Sequence, residues 1–136
     1  MWTEGSRFIN RSNRTTAIAG MKKLAKEVSS SPYKSLFVCP EGTRTPDGSL
    51  GAFHKGALVL AIDAGLPIVP MAVIGAYEVL PKGSLYVHPG PIKVVCGDPI
   101  EAEGLCYDDR EAFGRTVQLA VQSLLDQHNE PPPPRQ

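Results

Sequence analysis

Val38-Cys39-Pro40-Glu41-Gly42-Thr43-Arg44 joins a short apolar run to a polar turn, and its reading decides the fold. Leu36-Phe37-Val38-Cys39 has the pattern of a buried strand, and Pro40 ends it. From Pro40 to Gly51 the chain is rich in turn formers, including Pro46-Asp47-Gly48, and reads as a loop. Upstream, Asn10 to Ser31 reads as a polar turn followed by a helix, with Ser12, Asn13 or Thr15 as its cap. Ala17, Ile18, Met21, Leu24, Ala25 and Val28 form a stripe on one face, opposite Lys22, Lys23, Lys26 and Glu27. Ser29-Ser30-Ser31-Pro32 stops that helix.

Downstream, Gly56 to Ala64 reads as a short apolar helix ended by Gly65. Pro67 to Gly75 (PIVPMAVIG) reads as a second buried strand. Leu85 to His88 and Ile92 to Cys96 are two further strand candidates, with Pro89-Gly90-Pro91 as the turn between them. Asp108 with Glu111 fits a capping box for a last helix, whose stripe is Phe113, Val117, Ala120, Val121, Leu124 and Leu125. Helices alternating with apolar strands give an α/β domain over residues 1–127. Residues 128–136 (HNEPPPPRQ) are expected to be a Pro-rich disordered tail.

A chain of 136 residues is one domain's worth of polypeptide. Fourteen basic residues cancel fourteen acidic ones, which disfavours a nucleic-acid partner. Cys39, Cys96 and Cys106 cannot all pair and show no CxxC spacing, so reduced thiols in a cytosolic setting are expected, with no metal site. The longest apolar-leaning stretch, Gly56 to Ala76, is interrupted by Asp63, Pro67 and Pro70, and no membrane span is expected. MWTEGSRFINRSNR has no apolar core of the kind a signal peptide needs.

The chemistry concentrates at the strand end. Ligands of open α/β sheets bind beyond the carboxyl ends of strands. Glu41, Gly42, Thr43 and Arg44 would there combine a carboxylate, a backbone able to approach a ligand, a hydroxyl and a planar guanidinium suited to phosphate or carboxylate. The alternative is a plain surface pair between Glu41 and Arg44, worth about 0–1 kcal/mol. Phe8-Ile9-Asn10-Arg11 places a second arginine at the approach to the first helix, where free N–H groups favour an anion. Its alternative is a solvated arginine before a helix cap.

Taken in order, Phe8-Ile9-Asn10-Arg11, Pro40-Glu41-Gly42-Thr43-Arg44, Gly48 to Gly56 (GSLGAFHKG) and Leu66-Pro67-Ile68-Val69-Pro70 closely resemble the glycerolipid acyltransferases. The best match is their lysophosphatidic acid acyltransferase branch. That family has four blocks: HxxxxD, FIxR, FPEGTR and an apolar block commonly written PIVP. The last three are present here, and the resemblance runs from Gly5 to about Gln127. It implies αβα layers around a mixed β-sheet, incomplete at the N-terminus. It also implies acyl transfer from acyl-CoA or acyl carrier protein to lysophosphatidic acid, giving phosphatidic acid, with no cofactor.

By the same resemblance, Arg11 and Arg44 would hold the acceptor phosphate, and Glu41, Gly42 and Thr43 would shape the pocket. Ile68 to Pro70 would pack beside it, towards the acyl donor. Cys39 replaces the family's usual Phe. As a nucleophile it lacks a histidine nearby in sequence, and it is expected to act as a small apolar residue. The HxxxxD block, whose His removes the proton of the attacking hydroxyl, is absent. The residues five positions after His54, His88 and His128 are Val59, Lys93 and Pro133. His54 is expected to be a local structural residue.

No catalytic residue is therefore assigned, and the isolated chain is expected to be poorly active or inactive. The chain reaches motif residues within its first dozen positions and is expected to be a C-terminal fragment. An amphiphilic acceptor implies a cytoplasmic protein peripheral to a membrane, with any anchor upstream of Met1. The second reading is a non-catalytic phosphate- or lysophospholipid-binding module that lacks the dyad. A third, an α/β domain whose motif matches are coincidence, conflicts with three blocks in order.

Overall fold

The structure, a computed structural model, describes residues 14–30 and 35–128, with backbone alone for residues 14–18. Helix α1 (Arg14–Ser29) ends where the serine run begins. Ala25 and Val28 of its stripe are buried, and Met21 and Leu24 half-buried. Helix α2 (Lys55–Ala64) follows the loop, and its buried residues are Leu58, Leu60 and Ile62. Gly65 ends it at φ 61°, a left-handed conformation that costs glycine least. There its N–H donates to Ile62 O at 3.1 Å and that of Leu66 to Ala61 O at 3.1 Å.

Strand β1 (Met71–Ile74) pairs antiparallel with β2 (Lys93–Cys96), in register Met71 with Cys96 and Ile74 with Lys93. An isolated bridge between Ile68 and Ile100 continues the pairing, with both N–H···O bonds formed at 2.9 and 2.8 Å. Between the strands lies a single turn of helix, α3 (Ala76–Val79). Gly75 joins β1 to α3 at φ 84°, and a Cβ there would collide with the carbonyl oxygen of Pro91. Only glycine lets the two backbones approach so closely.

Helix α4 (Arg110–His128) is entered through a turn of 3-10 helix, Tyr107–Asp109. Phe113, Val117 and Val121 repeat every fourth residue and are buried. The core gathers Leu58 and Ile62 from α2, Phe113 and Val117 from α4, and Ala102, with Phe53, Ile68, Ile100 and Leu105 against it. Gly114 makes the α2–α4 approach possible, since a Cβ there would meet Leu58 Cδ1 at 2.7 Å. Lys55 and Glu111 bridge the starts of the two helices at 2.7 Å.

The α/β class holds, and four local expectations do not. Residues 35–39 are extended but form no strand, and Phe37 is 68% exposed. A strand needs a neighbour to take its backbone bonds, and among the described residues none pairs with this segment. Cys39 is accordingly exposed rather than buried. Leu85 to His88 is likewise no strand: no strand pairs with it among the described residues, and Tyr86 N–H bonds the Ser84 hydroxyl instead. PIVPMAVIG is buried only at alternate positions, with Pro70 and Ala72 inside and Val69, Met71 and Val73 exposed, as one covered sheet face dictates.

The cap of the last helix also lies elsewhere than at Asp108 and Glu111. Asp109 Oδ2 accepts from the Cys106 N–H at 2.8 Å, so the box spans Cys106 and Asp109. Residues 1–13 and 129–136, with Phe8-Ile9-Asn10-Arg11 and most of the Pro-rich segment, lie outside the described residues.

Candidate functional site

The site is built on the loop between residues 35–39 and α2. Gly42 N–H donates to Cys39 O at 3.1 Å, closing a turn in which Gly42 takes φ 68°. His54 N–H donates to Pro40 O at 2.8 Å, so the two ends of the loop are tied. Inside it, Glu41 Oε2 accepts from Gly51 N–H at 2.7 Å. A half-buried carboxylate on a backbone donor makes a charge-assisted bond, roughly twice as strong as a neutral one. Gln118 of α4 donates to Gly51 O at 3.3 Å and fixes the same residue from the other side.

The far limb of the loop is held to α3. Tyr77 Oη donates to Pro46 O at 2.9 Å, and its ring covers Gly48, which sits at φ 80°. Asp47 Oδ1 accepts from the Ser49 hydroxyl at 2.6 Å and from Ser49 N–H at 3.1 Å. Those two bonds hold the Asp47 carboxyl below its usual range.

Arg44 is anchored by tertiary structure. Nη1 donates to Leu80 O at 3.2 Å and Pro81 O at 3.1 Å, just after α3. Both bonds leave from one nitrogen, so Nη2 and Nε keep their N–H groups for an anion. The surface pair between Glu41 and Arg44 is not formed among the described residues, since Glu41 turns to Gly51 and Arg44 to α3. Thr43 Oγ1 stays close to the backbone, 3.4 Å from Arg44 O, and is exposed. His54 precedes α2 as its N-terminal cap residue by backbone alone, with its side chain exposed.

Beside this loop opens a concavity of about 990 Å³. Val28 of α1, Ala61 of α2, Val73 of β1 and Val121 of α4 line it, together with Glu41 to Arg44. Ile68, Val69 and Pro70 lie along the same wall. An apolar hollow with a few polar groups at one side is the general form of a small-molecule site.

The structure thus brings Glu41, Gly42, Thr43 and Arg44 to one cavity, while Arg11 lies outside the described residues. Tyr77 and the carbonyls of Leu80 and Pro81 were not foreseen from the sequence. Their partners lie 31 to 37 residues away, and no local pattern announces such contacts. Among the described residues, no group of His, Cys, Asp and Glu is arranged to hold a metal ion, and no helix is long and apolar enough to cross a membrane.

Residues 1–74 match the model of the family described as Acyltransferase. The chain is 40% identical over 109 residues to the 1-acyl-sn-glycerol-3-phosphate acyltransferase of Limnanthes alba, covering 80% of this chain and 38% of that protein. It is 34% identical over 126 residues to the alpha form of the same enzyme from Mus musculus, covering 91% and 44%. The crystal structure of the 1-acyl-sn-glycerophosphate acyltransferase of Thermotoga maritima superposes with a TM-score of 0.64 at 27% identity, over 79% of this chain and 45% of that one. The chain therefore spans less than half the length of these relatives.

Proposed function

The chain belongs to the acyltransferase family, in keeping with its lysophosphatidic acid acyltransferase branch, and on that premise we propose that it forms the acceptor-binding part of such an enzyme. The acceptor is lysophosphatidic acid and the product phosphatidic acid. Its free glycerol hydroxyl attacks the thioester carbonyl of acyl-CoA or acyl carrier protein. The new C–O bond forms, the C–S bond breaks, and the thiol departs with the proton that the hydroxyl gives up. The observation that carries this reading is Arg44, fixed through Nη1 to Leu80 and Pro81 at the edge of an apolar hollow.

Each group then has a task. Nη2 and Nε of Arg44 pair with the acceptor phosphate, and Arg11 joins them from the FIxR block. Glu41 keeps the loop closed through Gly51, Gly42 supplies the turn, and Thr43 offers a hydroxyl beside the phosphate. The apolar hollow takes an acyl chain, with Ile68 to Pro70 on the donor side. Holding the acceptor in place lowers the barrier by several kcal/mol. No cofactor is required, and the amphiphilic acceptor places the work at the periphery of a membrane.

The 136 residues contain no HxxxxD. General-base assistance contributes about 10²–10⁴-fold, so this chain by itself is expected to bind acceptor with little turnover. The second reading is a binding module without catalysis, which would use the same Arg44 and apolar hollow. A protein carrying HxxxxD in residues beyond these would be the enzyme, and one without it the module.

The binding claim has a direct test. Lysophosphatidic acid raises the unfolding temperature of the chain, and Arg44→Ala weakens that binding by about 10–100-fold, the equivalent of a charge-assisted bond of roughly 1.5–3 kcal/mol. The variant's own unfolding temperature without ligand reports whether it folds. A folded Arg44→Ala that binds as tightly as the parent chain overturns the phosphate assignment.

A further inference from the structure

Helix α3 touches the loop of the candidate site twice, and only one of the two contacts has a part in acceptor binding. Nη1 of Arg44 donates to Leu80 O and Pro81 O at the end of the helix. Three residues before Leu80, Tyr77 Oη donates to Pro46 O at 2.9 Å. Pro46 stands two residues after Arg44. The same limb of the loop is therefore held once by a side chain and once by its backbone.

The first contact alone leaves a freedom. Both bonds of Arg44 leave from a single nitrogen, and a guanidinium held at one nitrogen can still swing about it. Where Nη2 and Nε then point depends on the backbone that carries the side chain. Tyr77 restrains that backbone in two ways. Its hydroxyl ties the carbonyl of Pro46, and its ring lies against Gly48, where a Cβ would meet Cγ and Cδ1 at 3.0 and 3.1 Å. Gly48 takes φ 80°, and Asp47 accepts from Ser49 on its other side. The limb thus lies on α3 at Arg44, Pro46 and Gly48.

The helix that holds these three residues is itself fixed. It follows directly on β1, whose last residue, Ile74, pairs with Lys93 of β2. At its far end His88 N–H donates to Val79 O at 2.8 Å. Pro81 O accepts from Ser84 N–H at 3.2 Å as well as from Arg44, which its two lone pairs allow. The sheet sets α3, and α3 sets the limb that carries Arg44. Arg44, Gly48, Tyr77 and Leu80 all line the hollow.

We propose that Tyr77 is a positioning residue for the acceptor phosphate. It holds Pro46 and Gly48, and so fixes the direction in which Nη2 and Nε of Arg44 meet the anion. Donors fixed before binding need not be ordered during it, and the affinity gains by that saving. Resting on the acceptor reading of Arg44, this role falls to a residue outside the matched motifs.

The test titrates the chain and its folded variants with lysophosphatidic acid and with the monoacylglycerol of the same acyl chain, which lacks the phosphate. Tyr77→Phe keeps the ring on Gly48 and loses the bond to Pro46. It is expected to weaken lysophosphatidic acid by about three- to tenfold, the worth of one hydrogen bond, and to leave monoacylglycerol unchanged. Gly48→Ala presses on the ring from the loop side and should give the same selective loss. In an Arg44→Ala background Tyr77→Phe should have no further effect, because its action passes through Arg44. A merely structural tyrosine would weaken both ligands alike or neither, and either result overturns the proposal. So does an additive loss in the Arg44→Ala background. Should Arg44→Ala bind as tightly as the parent chain, the acceptor reading falls and this role with it. Should Arg44→Ala bind weakly while Tyr77→Phe matches the parent, the acceptor reading stands and the role of Tyr77 alone fails.

Discussion

Two adjacent regions, the segment from Ser35 to Cys39 and the loop from Pro40 to His54, behave in opposite ways. The first is apolar and was expected to be a buried strand, yet Phe37 is 68% exposed and the backbone there is unladdered among the described residues. The second is full of glycine and proline, yet it is held from four directions. Pro40 is tied to His54, Glu41 to Gly51, Pro46 to Tyr77 and Arg44 to the end of α3. A polar loop can be the better bonded region when its groups find partners within the same fold. An apolar run is buried only when another element covers it.

The sharpest way to break this comparison is a pair of truncations. Phe113→Ala, in the core between α2 and α4, should cost about 3–5 kcal/mol and lower the unfolding temperature by about 10 °C or more. Phe37→Ala should change stability by no more than about 0.5 kcal/mol. Comparable losses in thermal denaturation would show that Phe37 is packed after all, and the contrast would disappear.

A smaller effect tests the loop. Glu41→Ala removes the acceptor of the Gly51 N–H and should cost about 1.5–3 kcal/mol, read from the denaturant midpoint, with faster proteolysis between residues 41 and 51. Glu41→Gln, which keeps an oxygen acceptor, should lose less. Equal behaviour of the two variants would mean that the charge contributes nothing to closing the loop.

The smallest effect is one of pH, at the start of α4. The N–H of Cys106 and then its thiol hold the Asp109 carboxyl below its ordinary 3.8. A depressed folded value stabilises the protein above the unfolded pKa, and that contribution is lost as pH falls through the folded value. The unfolding temperature should thus fall on acidification below about pH 4, and Asp109→Asn should flatten part of that fall. An identical acid profile in the variant would remove Asp109 from the cap.

The residues explain how far the sequence could be read. Helices α1 and α4 were legible by their apolar stripes, and α2 by its apolar run and the Gly65 that ends it. Strand β2 was legible for its apolar run, but Leu85 to His88, which also leans apolar, forms no strand. The difference lies in the partner: Tyr86 bonds the Ser84 hydroxyl, and among the described residues no strand lies alongside to take the rest. The candidate site was legible as a motif and not as a geometry. Glu41 and Arg44, three apart, could equally have paired with each other.

What the sequence by itself determined is the α/β class, the order of its helices and the Glu41-Gly42-Thr43-Arg44 turn that joins the chain to its family. Those depend on short-range periodicity and on residue types that permit few backbone alternatives. Tertiary structure alone decided that Arg44 is braced on Leu80 and Pro81, that Tyr77 holds Pro46, and that the apolar run before Pro40 stays uncovered among the described residues. Such contacts join groups more than thirty residues apart, and their energy depends on where the fold brings each backbone carbonyl rather than on what precedes it in the chain.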